Sequence, residues 1–78
     1  MKENNRKPKS PTLCFIIWSN ILRHQYLLGL TDKDLCEILS ITPRTLYNYR
    51  QDPSALTMKQ LQLVLDKMDI EMEALLLA

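Results

Sequence analysis

Residues 29–51 read GLTDKDLCEILSITPRTLYNYRQ, and this stretch decides the fold because it encodes two short helices joined by a tight turn. Two apolar residues on the first helix, one at the turn and two on the second helix are spaced so that they converge on one core. These residues are Leu35, Leu39, Ile41, Leu46 and Tyr49. The spacing therefore predicts a helix-turn-helix at the centre of the chain.

Capping residues predict where the two helices begin. Thr31 is a good N-cap for the first helix, and Asp34 can return a side-chain hydrogen bond to the Thr31 N–H. Thr42 caps the second helix, and Pro43 occupies its first position, where a missing N–H costs no hydrogen bond. Pro43 inside one continuous helix would cost about 3 kcal/mol, so two helices are favoured over one. They are predicted over residues 32–39 and 43–51.

Two segments of the motif carry a resemblance to a known family. They are residues 29–36, which lead into the first helix, and the turn at residues 40–42. The motif resembles the helix-turn-helix family of the phage lambda repressor and Cro type, and the likeness extends from about Ile21 to Leu76. In that family the second motif helix lies in the DNA major groove. The resemblance thus implies a lambda repressor-like bundle and sequence-specific DNA binding.

Several positions depart from the family's usual residues. Ser40 stands where the turn usually has glycine, and Cys36 where a small alanine packs on the second helix; both are small enough to fit. Asp32 replaces a glutamine that often contacts DNA, and a carboxylate there is expected to repel phosphate. Arg50 and Gln25 stand where the family often pairs an acid with an arginine, so that ion pair is predicted to be absent or replaced.

Three further helices are predicted from apolar residues at intervals of three and four. The first covers residues 12–28 and ends at Gly29, a residue suited to a left-handed helix end. A fourth begins after Thr57, where Gln60 completes a capping box, and a two-turn fifth helix begins at about Glu71. The buried stripes are Cys14, Ile17, Trp18, Ile21, Gln25 and Leu28 on the first helix and Met58, Leu61, Val64, Leu65 and Met68 on the fourth, whereas Ser19, Asn20, Arg23 and His24 are predicted to face elsewhere.

Length and composition are typical of a single small all-α domain. The chain has 78 residues, 46% of them hydrophobic, and a single glycine. Residues 1–11 hold four basic residues and one acidic residue, while residues 12–78 hold six basic and eight acidic residues. We therefore expect a flexible basic arm over 1–11 and a compact bundle of about five short helices over 12–78. The arm is either a solvated tail or a segment that follows the DNA backbone or minor groove.

Several functional classes need residues that this sequence does not provide. Cys14 and Cys36 fit neither a metal site nor a disulfide framework, so both are expected to be reduced thiols in a cytoplasmic protein. The apolar run at residues 13–18 is too short for a signal-peptide core or a membrane span. The sequence has no Gly-rich phosphate loop and no paired nucleophile and base. No enzyme activity, cofactor, metal or small-molecule substrate is therefore expected.

The outward face of the second motif helix carries side chains suited to DNA. Arg44 in the first turn can donate two hydrogen bonds to guanine, and Asn48 one turn later can pair with adenine. Pro43 or Tyr47 can pack on a thymine methyl group or reach a phosphate. By family position, Gln51 and Ser54 are expected near phosphates. Thr42 is primarily a cap that can also contact the DNA backbone, and Lys33 can offset the charge of Asp32 at the rim. The predicted DNA-binding residues are Lys33, Thr42, Pro43, Arg44, Tyr47, Asn48, Gln51 and Ser54.

The end of the chain predicts a homodimer. The fifth helix is apolar on nearly every side, whereas packing on the fourth helix can hide only one face. The expected interface residues are Met72, Leu75, Leu76 and Leu77, and the alternative surface is Phe15, Ile16 and Trp18 on the first helix. A two-fold pair would place its recognition helices about 34 Å apart and require a palindromic operator in double-stranded DNA.

The predicted function is that of a small repressor-like or Cro-like transcription regulator of phage or prophage type. One alternative is a helix-turn-helix used for protein contact, such as a phage accessory protein or an inhibitor of a host factor. The acidic balance of residues 12–78 and the carboxylate of Asp32 favour that alternative. An antitoxin of this fold is a further one, although the short chain lacks an obvious neutralising extension.

Overall fold

Five α-helices build the part of the chain, residues 12–77, that the computed structural model describes. They are α1 (Leu13–Leu27), α2 (Asp32–Leu39), α3 (Pro43–Gln51), α4 (Met58–Met68) and α5 (Met72–Leu75), with one turn of 3₁₀ helix at Pro53–Ala55. Residues 12–77 contain no strand, so the prediction of an all-α bundle with a helix-turn-helix at its centre is confirmed. The predicted basic arm, residues 1–11, lies outside the described residues.

A threonine caps each of the first four helices. Each hydroxyl accepts the backbone N–H three residues further on, at 3.4 Å for α1 and 3.1 Å for the other three. The side chains of Asp34 and Gln60 accept a hydrogen bond of 2.9 Å from the cap N–H, so both predicted capping boxes are present. The helix starts thus follow from hydrogen bonds that span three residues. The capping residues are Thr12, Thr31, Thr42 and Thr57.

Left-handed residues turn the chain sharply after three of the helices. Gly29, Ser40 and Asp69 have φ angles of 70°, 59° and 56°. After α2, the Ile41 N–H donates to the Cys36 carbonyl oxygen at 3.0 Å, which closes the helix end as a Schellman motif. A side chain costs about 1 kcal/mol in this conformation. Ser40 therefore makes the tight turn of the motif at a small cost in stability.

The core contains buried apolar residues from all five helices. Trp18 of α1 and Tyr49 of α3 cross edge to face, with ring centroids 5.9 Å apart. The Tyr49 hydroxyl donates to Gln60 Oε1 of α4 at 3.1 Å. Because α1 and α4 hold the inner face of α3 in this way, its opposite face stays in solvent. The core residues are Ile17, Trp18, Ile21, Leu35, Cys36, Leu39, Leu46, Tyr49, Leu61, Val64, Met68 and Leu75.

A polar residue that was predicted to face elsewhere holds the C-terminal segment. Asn20 is buried, and its side-chain amide donates to the carbonyl oxygens of Leu75 at 2.9 Å and Leu77 at 2.7 Å. The same amide donates to the Ile16 carbonyl oxygen at 3.1 Å. The helix α5 has one turn rather than two, and the Leu75 side chain is 0% exposed. The assignment of Leu75 to a dimer interface is corrected accordingly, because the core of one chain already covers it.

Other exposures also differ from the sequence pattern. Trp18 is 4% exposed, so it has almost no surface for the alternative dimer contact. Met58 begins α4 and Leu28 follows the last residue of α1, and both are more than half exposed because a helix end projects beyond the packed core. His24, which was predicted to face away from the buried stripe of α1, is half-buried. These differences concern the exposure of side chains and not the bounds of α1 or α4.

Candidate nucleic-acid interface

The outer face of α3 presents the side chains that were predicted to contact DNA. Leu46 and Tyr49 are buried on the inner face, as the periodicity predicted. Tyr47 is 59% exposed. The exposed residues of this helix face are Pro43, Arg44, Tyr47, Asn48 and Gln51.

Arg44 and Asn48 lie one helical turn apart on this face. Both side chains are exposed, and no described residue pairs with Arg44 in an ion pair. Their separation of four residues places the two Cβ atoms about 6 Å apart. Two neighbouring base pairs are therefore within reach of two different side chains.

Thr42 and Ser54 lie at the two ends of the segment that contains α3. The Thr42 hydroxyl accepts the Thr45 N–H and donates to Thr45 Oγ1, both at 3.1 Å, so its side chain serves the helix start. Ser54 is exposed, and its backbone N–H donates to Asp52 Oδ1 at 3.1 Å. Hydrogen bonds from Ser54 lower the pKa of Asp52 and keep a carboxylate beside the predicted phosphate contact.

A groove between α2 and α3 brings Lys33 together with the start of α3. Its rim has both signs of charge, since Asp32 and Glu37 lie beside Lys33. Cys36 lies in its wall, and burial raises the pKa of this thiol, which therefore stays protonated. The groove is lined by Asp32, Lys33, Cys36, Glu37, Ser40, Ile41, Thr42, Pro43 and Thr45.

Sequence reasoning missed the role of Asp32, which joins three helices. Arg50 Nη2 donates to Asp32 Oδ1 at 2.7 Å, and Arg50 Nη1 donates to Oδ2 at 3.2 Å. Gln25 Nε2 donates to Asp32 Oδ1 at 3.0 Å. We call this arrangement the Gln25–Asp32–Arg50 clip. Its hydrogen bonds, that from Arg50 above all, lower the pKa of Asp32 to about 2.

The clip forms at Gln25 and Arg50, the two positions at which an ion pair was predicted to be absent or replaced. The sequence indicated a change at Arg50 and Gln25, but it could not identify their partner. Asp32 is 18 residues from Arg50 and its side chain is 60% exposed, so no periodicity connects the two. Their contact depends on how the ends of α1 and α3 meet the start of α2.

The described residues include no group of three or more histidine, cysteine, aspartate or glutamate side chains placed to hold a metal ion. Among residues 12–77, no helix is long and apolar enough to cross a membrane. Comparison of the chain with family models, curated proteins and solved structures found no match. A function is therefore inferred from the residues of this chain and from the family resemblance of its motif.

Proposed function

We propose that the chain is a sequence-specific DNA-binding transcription regulator, repressor-like or Cro-like, that inserts α3 into the major groove of its operator. The observation that carries this proposal is the composition of the exposed face of α3. Its inner face is fixed by the core through Leu46 and Tyr49, so the outer face is held on a rigid element. A rigid helix with an exposed polar face fits the width of the major groove.

Base readout is assigned to Arg44 and Asn48. An arginine binds guanine O6 and N7 with two hydrogen bonds, and an asparagine binds adenine N6 and N7 in the same manner. Tyr47 is placed to pack on a thymine methyl group or to reach a phosphate, and Gln51 extends the contact toward the backbone. Lys33 adds positive charge at the other side of the α2–α3 groove.

The same proposal includes a homodimer in the cytoplasm that binds a palindromic operator without a cofactor. Leu76 and Leu77 are 46% and 61% exposed, and Met72 is half-buried beside them in sequence. Exposed apolar residues at the end of a small domain favour contact with a second copy. The two-fold arrangement would read two half-sites about 34 Å apart.

Protein contact is the second candidate function, and a different surface favours it. Tyr26, Leu27 and Leu28 are consecutive residues at the end of α1, and they are 83%, 60% and 51% exposed. Three consecutive exposed apolar side chains are unusual on a monomer of this size. They belong to α1 and its C-cap rather than to α3, so a partner protein could bind these side chains whether or not α3 binds DNA.

Selection from a random double-stranded DNA library with the purified full chain tests the proposed function. We expect a palindromic consensus, and we expect Arg44→Ala and Asn48→Ala each to lose about 1 to 3 kcal/mol of discrimination at a single base pair. Tyr26→Ala, which removes an exposed aromatic ring of α1, is the matched control and should retain the consensus. Failure of the wild-type chain to enrich any sequence, or an unchanged consensus in both variants, would contradict the proposal.

A further inference from the structure

The Gln25–Asp32–Arg50 clip lies at the edge of the surface that is proposed to bind DNA. Asp32 lines the α2–α3 groove together with Lys33 and Pro43, two of the predicted DNA contacts. Its side chain is 60% exposed, so the carboxylate faces the solvent that DNA would displace. A free carboxylate in this position would repel a phosphate. The charge state of this rim therefore matters for any polyanion that approaches α3.

Arg50 is the one basic partner of Asp32 among residues 12–77. Two parallel hydrogen bonds hold its guanidinium against the carboxylate, and this geometry gives the strongest type of exposed ion pair. Gln25 Nε2 donates a third hydrogen bond to the carboxylate, at Oδ1, the oxygen that also accepts from Arg50 Nη2. Because Arg50 Nη1 and Nη2 each direct one N–H at the carboxylate, the guanidinium cancels the charge of Asp32 at close range.

We propose that Arg50 is a positioning residue for DNA binding. It neutralises the charge of Asp32 and so allows a DNA backbone to approach the α2–α3 groove. This role rests on the proposed DNA-binding function. Arg50 lies on the last turn of α3 and Asp32 on the first turn of α2, so the pair also fixes the orientation of one motif helix against the other. The two effects are separable, because the charge effect depends on salt and the geometric effect does not.

The expected size of the charge effect follows from Coulomb's law. An unpaired carboxylate about 6 Å from a phosphate weakens binding roughly threefold in water, and on the order of tenfold or more where the local dielectric response is lower. Salt shortens the range of this repulsion to about 10 Å at 0.1 M. The loss of affinity that follows removal of Arg50 should therefore be largest at low salt.

A charge cycle on the full chain tests this role. Wild type, Arg50→Met, Asp32→Asn and the double variant are compared for affinity to the selected operator at about 50 and 200 mM salt. We expect Arg50→Met to lose roughly tenfold at low salt and less at high salt, and we expect Asp32→Asn in that background to restore most of the affinity. Arg23→Met, which removes an exposed arginine of α1, is the matched control and should change binding by no more than about twofold.

Different results would overturn the inference and the proposed function. Wild-type affinity in a folded Arg50→Met variant would overturn the inference, and so would a double variant that binds as weakly as Arg50→Met. Arg50→Lys keeps the positive charge beside Asp32 without the two-bond geometry, so it should retain most of the DNA affinity. A loss of affinity as large as that of Arg50→Met would also contradict the charge role. A wild-type chain that selects no DNA would instead overturn the proposed function, and this role with it.

Discussion

Removal of the Asn20 side chain is expected to destabilise the whole domain through its C-terminal segment. The amide of Asn20 donates to the carbonyl oxygens of Leu75, Leu77 and Ile16, and the bond to Leu75 is buried. An ordinary hydrogen bond contributes about 1 kcal/mol, and a buried carbonyl left without a donor costs about 1 to 3 kcal/mol. Asn20→Ala should therefore lower the free energy of unfolding by about 2 to 3 kcal/mol. Small domains of this kind have only about 5 kcal/mol in total.

Urea unfolding monitored by circular dichroism measures this decrease, and a thermal scan provides a second measurement. For a domain of 60 to 100 residues, 2 kcal/mol corresponds to a decrease of about 8 to 16 °C in Tm. Asn20→Asp should be more destabilising than Asn20→Ala, because a carboxylate facing carbonyl oxygens can donate nothing and adds charge repulsion. Ser19→Ala removes an exposed polar group from the neighbouring position and is the matched control.

The hydrogen-exchange rates of the C-terminal amides give an independent readout. In Asn20→Ala we expect protection to decrease first in α5, because the Leu75 carbonyl oxygen then has no hydrogen bond to α1. A change of less than about 0.5 kcal/mol in Asn20→Ala would show that these bonds contribute little net stability. Equal destabilisation by Ser19→Ala would refute the reasoning as well.

Three further predictions concern the basic arm, the dimer and the pH dependence of stability. Deletion of residues 1–11 should reduce the slope of log affinity against log salt by about 0.9 for each phosphate that the arm neutralises. The consensus DNA sequence should stay unchanged. An unaltered slope in a salt titration would identify the arm as a solvated tail. Sedimentation at tens of micromolar should show a wild-type dimer that Leu77→Glu disrupts, whereas a dimer that only Phe15→Glu disrupts would move the interface to α1. Because the pKa of Asp32 is lowered from 3.8 to about 2, its ion pair with Arg50 should stabilise the fold above about pH 4 and lose that effect as the pH falls through 2. Because the pair is exposed, wild type should exceed Asp32→Asn in free energy of unfolding by no more than about 1 kcal/mol at pH 5. Urea unfolding should show this difference shrinking toward pH 2 and absent below it, and a difference that stays constant with pH would exclude the pair as its source.

Much of the fold could be predicted from the sequence because its signals act over three or four residues. Threonine caps, Pro43 and the spacing of apolar residues set the boundaries of the first four helices to within about two residues, whereas α5 is one turn shorter than predicted. The inner and outer faces of α3 followed from the same spacing, since Leu46 and Tyr49 must both enter the core. The proposed DNA-binding face was therefore recognisable before any tertiary contact was known.

Tertiary structure alone decided which polar side chains join separate helices. Asn20 contacts Leu75 across 55 residues and Arg50 contacts Asp32 across 18, and neither separation leaves a periodic trace in the sequence. The burial of Leu75 likewise depends on where the last turn of the chain meets α1, which helix propensity does not specify. Local hydrogen bonds are encoded by neighbouring residues, whereas these contacts form only when separate helices pack and bring the ends of distant segments together.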